Sequence, residues 1–79
     1  MTFPKLTDNQ VAVLQAEKST GIVLNIHRER YLNTSEDEAY RIFETISLAR
    51  EYIAAVQQLS TDIEFTIYDN KQSLVEFIH

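Results

Sequence analysis

The clearest pattern of apolar and polar positions lies near the C-terminus. From Asp62 to Tyr68 the two kinds alternate, so that Ile63, Phe65 and Ile67 share one face. A period of two is typical of a half-buried strand. Residues 69–72, Asp-Asn-Lys-Gln, suit a turn because Asp and Asn bond locally to the backbone and tolerate left-handed conformations. With residues 73–78 as a second strand, the pattern predicts a C-terminal β-hairpin.

A helical pattern precedes that hairpin. Ile46, Ala49, Ile53 and Val56 recur at intervals of three and four residues, which predicts a helix over 45–59 with one apolar stripe. Arg50, Glu51, Gln57 and Gln58 can occupy its solvent side, and Ser-Thr-Asp at 60–62 ends it by competing for backbone hydrogen bonds.

The start of this helix is ambiguous. Ser35 and Glu38 have the spacing of a capping box, and the apolar stripe continues backwards through Ala39, Ile42 and Phe43. These features favour one long helix over 35–59. The alternative is a strand over 39–44, followed by a shorter helix with Thr45 as its cap.

The N-terminal third has two β-branched apolar runs, at 11–16 and 22–26. The chain's only glycine, Gly21, lies between them, where a connection has to turn. This pattern favours a second hairpin. A short helix over 8–18 is the alternative, because Thr7 and Gln10 also have capping-box spacing.

Together these elements predict an α+β fold. Their order is β-β-α-β-β, with a possible extra strand at 39–44, in a small single-layer antiparallel sheet on which one main helix packs. Seventy-nine residues suit a single domain over 1–79, and we interpret 1–8 as an N-terminal arm. With no cysteine, its stability depends on apolar packing or on a partner subunit.

Charge and composition narrow the function. Net charge is −5: residues 1–30 carry four basic residues against three acids, whereas residues 31–79 carry three against nine. Nucleic-acid binding is therefore disfavoured, because it depends on neutralising phosphates.

No apolar run could span a membrane, and the absence of cysteine suits a cytoplasmic protein. Two histidines and one glycine leave no recognisable catalytic, metal or cofactor motif, so we expect no enzyme and no cofactor.

The segment from His27 to Tyr31 is the most promising polar stretch. On an extended strand Arg28 and Arg30 share one face, about 7 Å apart, where they could clamp a carboxylate or phosphate. A small-anion-binding regulatory domain is therefore one alternative function. Charges that protect an exposed sheet edge are the simpler interpretation.

Apolar residues on both faces of the predicted sheet indicate an interface. Leu74 and Ile78 share one face of the last strand, and Val75 and Phe77 share the other. One helix covers only one face, so Val75 and Phe77, with Val23 and Tyr68, are candidates for an interaction surface. Alternatively, Phe3, Pro4 and Leu6 fold over that surface. We therefore expect a small acidic interaction module, a homodimer or the partner of another protein; an immunity or inhibitor protein for a basic partner is a variant.

Overall fold

The fold consists of an α-helix packed on one antiparallel sheet. It is described by a computed structural model, which covers residues 3–33 and 38–79. The elements in chain order are β1 (Val11–Glu17), β2 (Val23–Leu24), β3 (Tyr40–Phe43), α1 (Ile46–Leu59), β4 (Ile63–Tyr68) and β5 (Leu74–Ile78). The predicted α+β class and the sheet with its single main helix are confirmed, and so is the extra strand within 39–44.

Strand β1 is central to the sheet, whose order is β2-β1-β4-β5. One edge of β1 pairs with β4 over residues 12–17. The opposite edge is shared by two short strands: β3 pairs with residues 11–14, and β2 pairs with Gln15 and Ala16. On this side of β1, the place of one neighbouring strand is thus taken by two short strands that lie end to end, β2 and β3. The connection over residues 25–39 joins them.

The long helix over 35–59 is wrong for residues 40–45. Pairing with β1 makes residues 40–43 a strand, in which Phe43 lies opposite Val11 and Tyr40 opposite Leu14. Thr45 then has extended backbone angles, and its hydroxyl accepts a 3.2 Å hydrogen bond from the Leu48 amide, so it caps the shorter helix. The capping box at Ser35 lies outside the described residues, which resume at Glu38.

The N-terminal hairpin is confirmed, and the alternative helix over 8–18 is wrong. Residues 7–10 do form one of the two bonds of a capping box, in which the Gln10 side chain accepts from the Thr7 amide, but the Gln10 amide donates to the Thr7 carbonyl and so closes a turn. A strand follows this turn because β1 pairs along both of its edges. Gly21 completes the β1–β2 turn at a φ of +74°, a left-handed conformation that favours glycine.

The C-terminal hairpin is confirmed, but one of its predicted faces is wrong. Phe65 lies opposite Ile78 and Tyr68 opposite Leu74, with an irregularity in register between them. Directly opposed residues share a face, so Leu74 lies on the opposite face from Ile78. The cause is Val75, an extra residue that reverses the alternation at this bulge.

The core lies between α1 and the sheet. Ala49, Ile53 and Val56 of the helix are buried, as the apolar stripe predicts. Alternate residues of β4 and β1 face them across the layer. The buried core cluster comprises Val11, Val13, Leu24, Ala49, Ile53, Val56, Ile63, Phe65 and Ile67.

Candidate interaction surface

The face of the sheet that α1 does not cover is called here the open face. Val11 and Val13 of β1 belong to the core, so the alternate residues Ala12, Leu14 and Ala16 point the other way. Their cross-strand partners share that face. Members of the open face outside β1 are Val23, Tyr40, Ile42, Glu64, Thr66, Tyr68, Leu74 and Phe77.

One part of the open face is covered by the chain itself. Phe3 of the N-terminal arm lies edge-on to Tyr40 and Tyr68, with ring centroids 5.1 and 5.9 Å away. The two tyrosine rings are 6.2 Å apart. Burial raises the pKa of Tyr40, and the neighbouring Tyr68 and Tyr31 raise it further. The N-terminal arm, which the sequence analysis considered as a cover, therefore lies on this part of the open face. Its Phe3 forms an aromatic cluster with Tyr40 and Tyr68.

Three of the four apolar residues of β5 are left uncovered, whereas Ile78 packs against the core. Leu74 is 61% exposed, Val75 43% and Phe77 47%. They belong to the last strand in the sheet order, whose outer edge pairs with no other strand among the described residues. We call Leu74, Val75 and Phe77 the β5 edge. The His79 ring lies 5.2 Å from Phe77 and extends this surface.

The β5 edge carries no unpaired acid. Glu76 lies opposite Ile67 and so faces the helix side. Its Oε1 accepts hydrogen bonds of 3.1 and 2.9 Å from Nε and Nη2 of Arg50 on α1. The single charge within β5 is therefore turned away from the exposed apolar side chains and neutralised.

The four predicted surface residues do not form one patch. Val23 is on β2, at the opposite side of the sheet from β5, and Tyr68 belongs to the aromatic cluster with Phe3. Val75 and Phe77 remain together on β5. Leu74 was not among the candidates, because only the bulge places it on this side.

Arg28 and Arg30 do not lie on an extended strand, because residues 25–29 form a turn. The buried Asn25 organises it: its Oδ1 accepts from the amides of His27 and Glu29, at 2.9 and 3.0 Å. Arg28 has a φ of +63° within this turn. Arg30 pairs with Glu17 at 3.4 Å, whereas Arg28 contacts the Tyr52 hydroxyl at 3.5 Å. The two guanidiniums therefore have different partners and do not form a preorganised pair for binding one anion.

A polar cluster that the sequence analysis missed lies on the helix side of the sheet, where β1 pairs with β2 and β3. Gln15 is fully buried in β1, and its Oε1 accepts a 3.1 Å hydrogen bond from the Tyr52 hydroxyl on α1. The Arg41 guanidinium lies 4.8 Å from the centre of the Tyr52 ring. The signal in the sequence was a lone amide inside an apolar strand; its partner is 37 positions away.

Comparison with known proteins gives no assignment: no family model, curated protein or solved structure matches the chain. Within residues 3–33 and 38–79, no three His, Cys, Asp or Glu side chains are grouped so as to hold a metal ion. In the same part of the chain, no helix has the length and apolarity needed to cross a membrane.

Proposed function

We propose that this protein is a small interaction module that self-associates by pairing β5 with β5 of a second copy. The observation that carries the proposal is the β5 edge itself: the outer edge of β5 has no partner strand among the described residues, and three of its apolar side chains are exposed. Such edges bind another strand readily, and proteins that remain monomeric usually block them with lysine, proline or an inward-pointing charge. β5 contains neither lysine nor proline. Its Glu76 does point inward, but Arg50 neutralises the carboxylate, and residues 76–78 continue as a regular strand beyond the bulge at Val75.

A second copy suits this edge better than an oppositely charged partner. An antiparallel strand can pair with itself about a two-fold axis, and the same patch then serves both subunits. The net charge of −5 opposes association at long range, but the exposed residues of β5 are uncharged. A chain of 79 residues also buries a limited core, so extension of its sheet across two copies adds apolar burial that it lacks alone.

Side-chain matching favours one register. When Phe77 lies opposite Phe77 of the second copy, an aromatic pair forms on the open face, and Val75 lies opposite His79. Glu76 then lies opposite Ile78 on the helix side, where Arg50 already binds its carboxylate. The neighbouring register centred on Glu76 places two carboxylates opposite each other, which is destabilising.

Sedimentation equilibrium over a wide concentration range tests the proposal. We expect a reversible dimer for the natural chain and a dissociation constant at least about tenfold higher for Phe77→Lys, since both copies lose apolar burial and gain a charge at the edge. The matched control is Leu48→Lys on α1. Leu48 is 46% exposed and Phe77 47%, so the two substitutions alter equally exposed side chains.

A third variant distinguishes the β5 edge from the rest of the open face. Ile42 on β3 is 45% exposed on the open face, but it is remote from β5. Ile42→Lys leaves an edge-paired dimer intact and weakens a dimer formed by stacking of open faces. A monomer at all concentrations, or equal weakening by Leu48→Lys and Phe77→Lys, would overturn the proposal.

Oxidative cross-linking tests the register. The chain has no cysteine, so a single introduced thiol reports on one position. Phe77→Cys is expected to form a disulfide-linked dimer, because position 77 lies on the two-fold axis. Ser47→Cys on the exposed side of α1 serves as the control. Equal cross-linking of both variants would contradict the Phe77-centred register.

A further inference from the structure

The buried side-chain amide of Gln15 has a hydrogen-bond donor, Nε2, that lacks an acceptor among the described residues. Gln15 is fully buried in the central strand, and its Oε1 is bonded to the Tyr52 hydroxyl. Its Nε2 is also buried and has no hydrogen-bond partner among the described residues. Buried polar atoms are nearly always partnered, so an orphan donor of this kind calls for an explanation, and a bound acceptor is one.

Two arginines converge on the same tyrosine. Arg41 lies over the face of the Tyr52 ring and donates a 3.2 Å hydrogen bond to the Ile26 carbonyl. Arg28 approaches the Tyr52 hydroxyl from the Asn25 turn. The ion pairs of the described residues are Arg30–Glu17 and Arg50–Glu76, so within that part of the chain neither Arg28 nor Arg41 has a carboxylate within 4.0 Å.

We propose that Gln15, Arg28, Arg41 and Tyr52 form a binding site for a small organic carboxylate, here called the Tyr52 site. A carboxylate accepts planar hydrogen bonds from guanidinium groups, and each guanidinium has five N–H donors. Gln15 Nε2 is a further donor, which an oxygen atom of the ligand would satisfy. Arg30 is not a member, because Glu17 already binds it.

The surroundings favour an organic acid over inorganic phosphate. The Phe43 and Tyr52 rings lie 5.2 Å apart, and the Arg41 guanidinium is close to both of them. The apolar part of an organic acid packs on these rings while its carboxylate meets the arginines. Phosphate offers no apolar surface and therefore gains only the charged contacts.

Titration with sodium benzoate, followed by ¹H–¹⁵N NMR at constant ionic strength, tests the site. We expect a saturating shift of the Gln15 side-chain amide signal, with no such shift from sodium chloride. Arg28→Asn is expected to weaken benzoate binding about tenfold or more, the loss of one charge-assisted hydrogen bond. Asn tolerates the left-handed backbone at this position, so the turn is retained.

Arg30→Gln is the matched control, since it removes the same charge from the residue that follows the turn. Its benzoate affinity should stay within about twofold of the natural chain, the change expected for a distant surface charge. Equal weakening by both substitutions would overturn the Tyr52 site. A Gln15 signal that never saturates would also overturn it, and binding of phosphate as tight as that of benzoate would overturn the assignment to organic acids.

Discussion

Replacement of Gln15 by methionine is expected to stabilise the protein. Methionine has a similar length and fills irregular core space well. The substitution removes a buried Nε2 that has no partner among the described residues, a defect that costs about 1–3 kcal/mol. It also removes the hydrogen bond from Tyr52 to Oε1, worth about 1 kcal/mol. The half-buried Tyr52 hydroxyl can bond to water instead, so the expected net gain is about 1 kcal/mol.

Urea denaturation followed by far-UV circular dichroism measures this gain. In a thermal denaturation of a chain of this size, a gain of about 1 kcal/mol would raise Tm by about 4–8 °C. The experiment is made in the Phe77→Lys background, so that self-association does not contribute to stability. Gln57→Met on the exposed side of α1 is the control, and its effect should stay within about 0.5 kcal/mol.

A double-mutant cycle measures the coupling between Gln15 and Tyr52. Tyr52→Phe alone leaves Gln15 Oε1 buried without its donor, so we expect a loss of about 1–3 kcal/mol. Combination with Gln15→Met removes both polar groups and should recover most of this loss. If Gln15→Met alone lowers the free energy of unfolding by more than about 1 kcal/mol, Nε2 has a good acceptor in the folded protein and the reasoning is refuted.

Three further predictions concern local structure. Thr45→Ala should lower the free energy of unfolding by about 1 kcal/mol in urea denaturation, and Thr45→Ser should restore it, because the hydroxyl caps α1. Asn25→Ala should speed amide hydrogen exchange at His27 and Glu29 at least about tenfold, whereas Asn25→Asp, which keeps both acceptor bonds, should not. Hydrogen bonds from the Ser73 and Lys71 amides lower the pKa of Asp69. The β4–β5 turn should therefore be fully stabilised above the unfolded-state pKa of about 3.9 and lose this contribution as the pH falls through the lower folded-state pKa. Asp69→Asn should abolish that acid-dependent change in the amide signals of the turn.

Local pattern was sufficient for most of the fold. The strict alternation around Phe65 predicts β4, and three- and four-residue spacing predicts the apolar stripe of α1. Residues 40–43 were the exception, because Ile42 and Phe43 fit a helical stripe as well as a strand. Pairing with β1 decides between them, and that contact joins residues about thirty positions apart. A single sequence carries little signal for such a pairing.

For the candidate sites too, the sequence predicts what depends on neighbouring residues and misses what depends on residues far along the chain. Phe77 was identified because alternation along one strand places it away from the helix, and the structure leaves it half exposed. Leu74 was assigned to the wrong face, because a bulge cannot be read from alternation. Gln15 was passed over within an apolar run, since its importance depends on Tyr52 and two arginines supplied by other elements.

The two proposed sites occupy opposite edges of the sheet, and this separation predicts that they act independently. Arg28 and Arg41 lie near β2 and β3, and Phe77 lies on β5, three strand spacings or about 14 Å across the sheet. That separation exceeds the Debye length of about 8 Å at physiological ionic strength, so charge changes at one edge are largely screened at the other. Phe77→Lys should therefore leave benzoate affinity unchanged, and Arg28→Asn should leave the dimer dissociation constant unchanged. A change of more than about threefold in either cross-measurement, roughly 0.7 kcal/mol, would mean that carboxylate binding and self-association are coupled through the sheet.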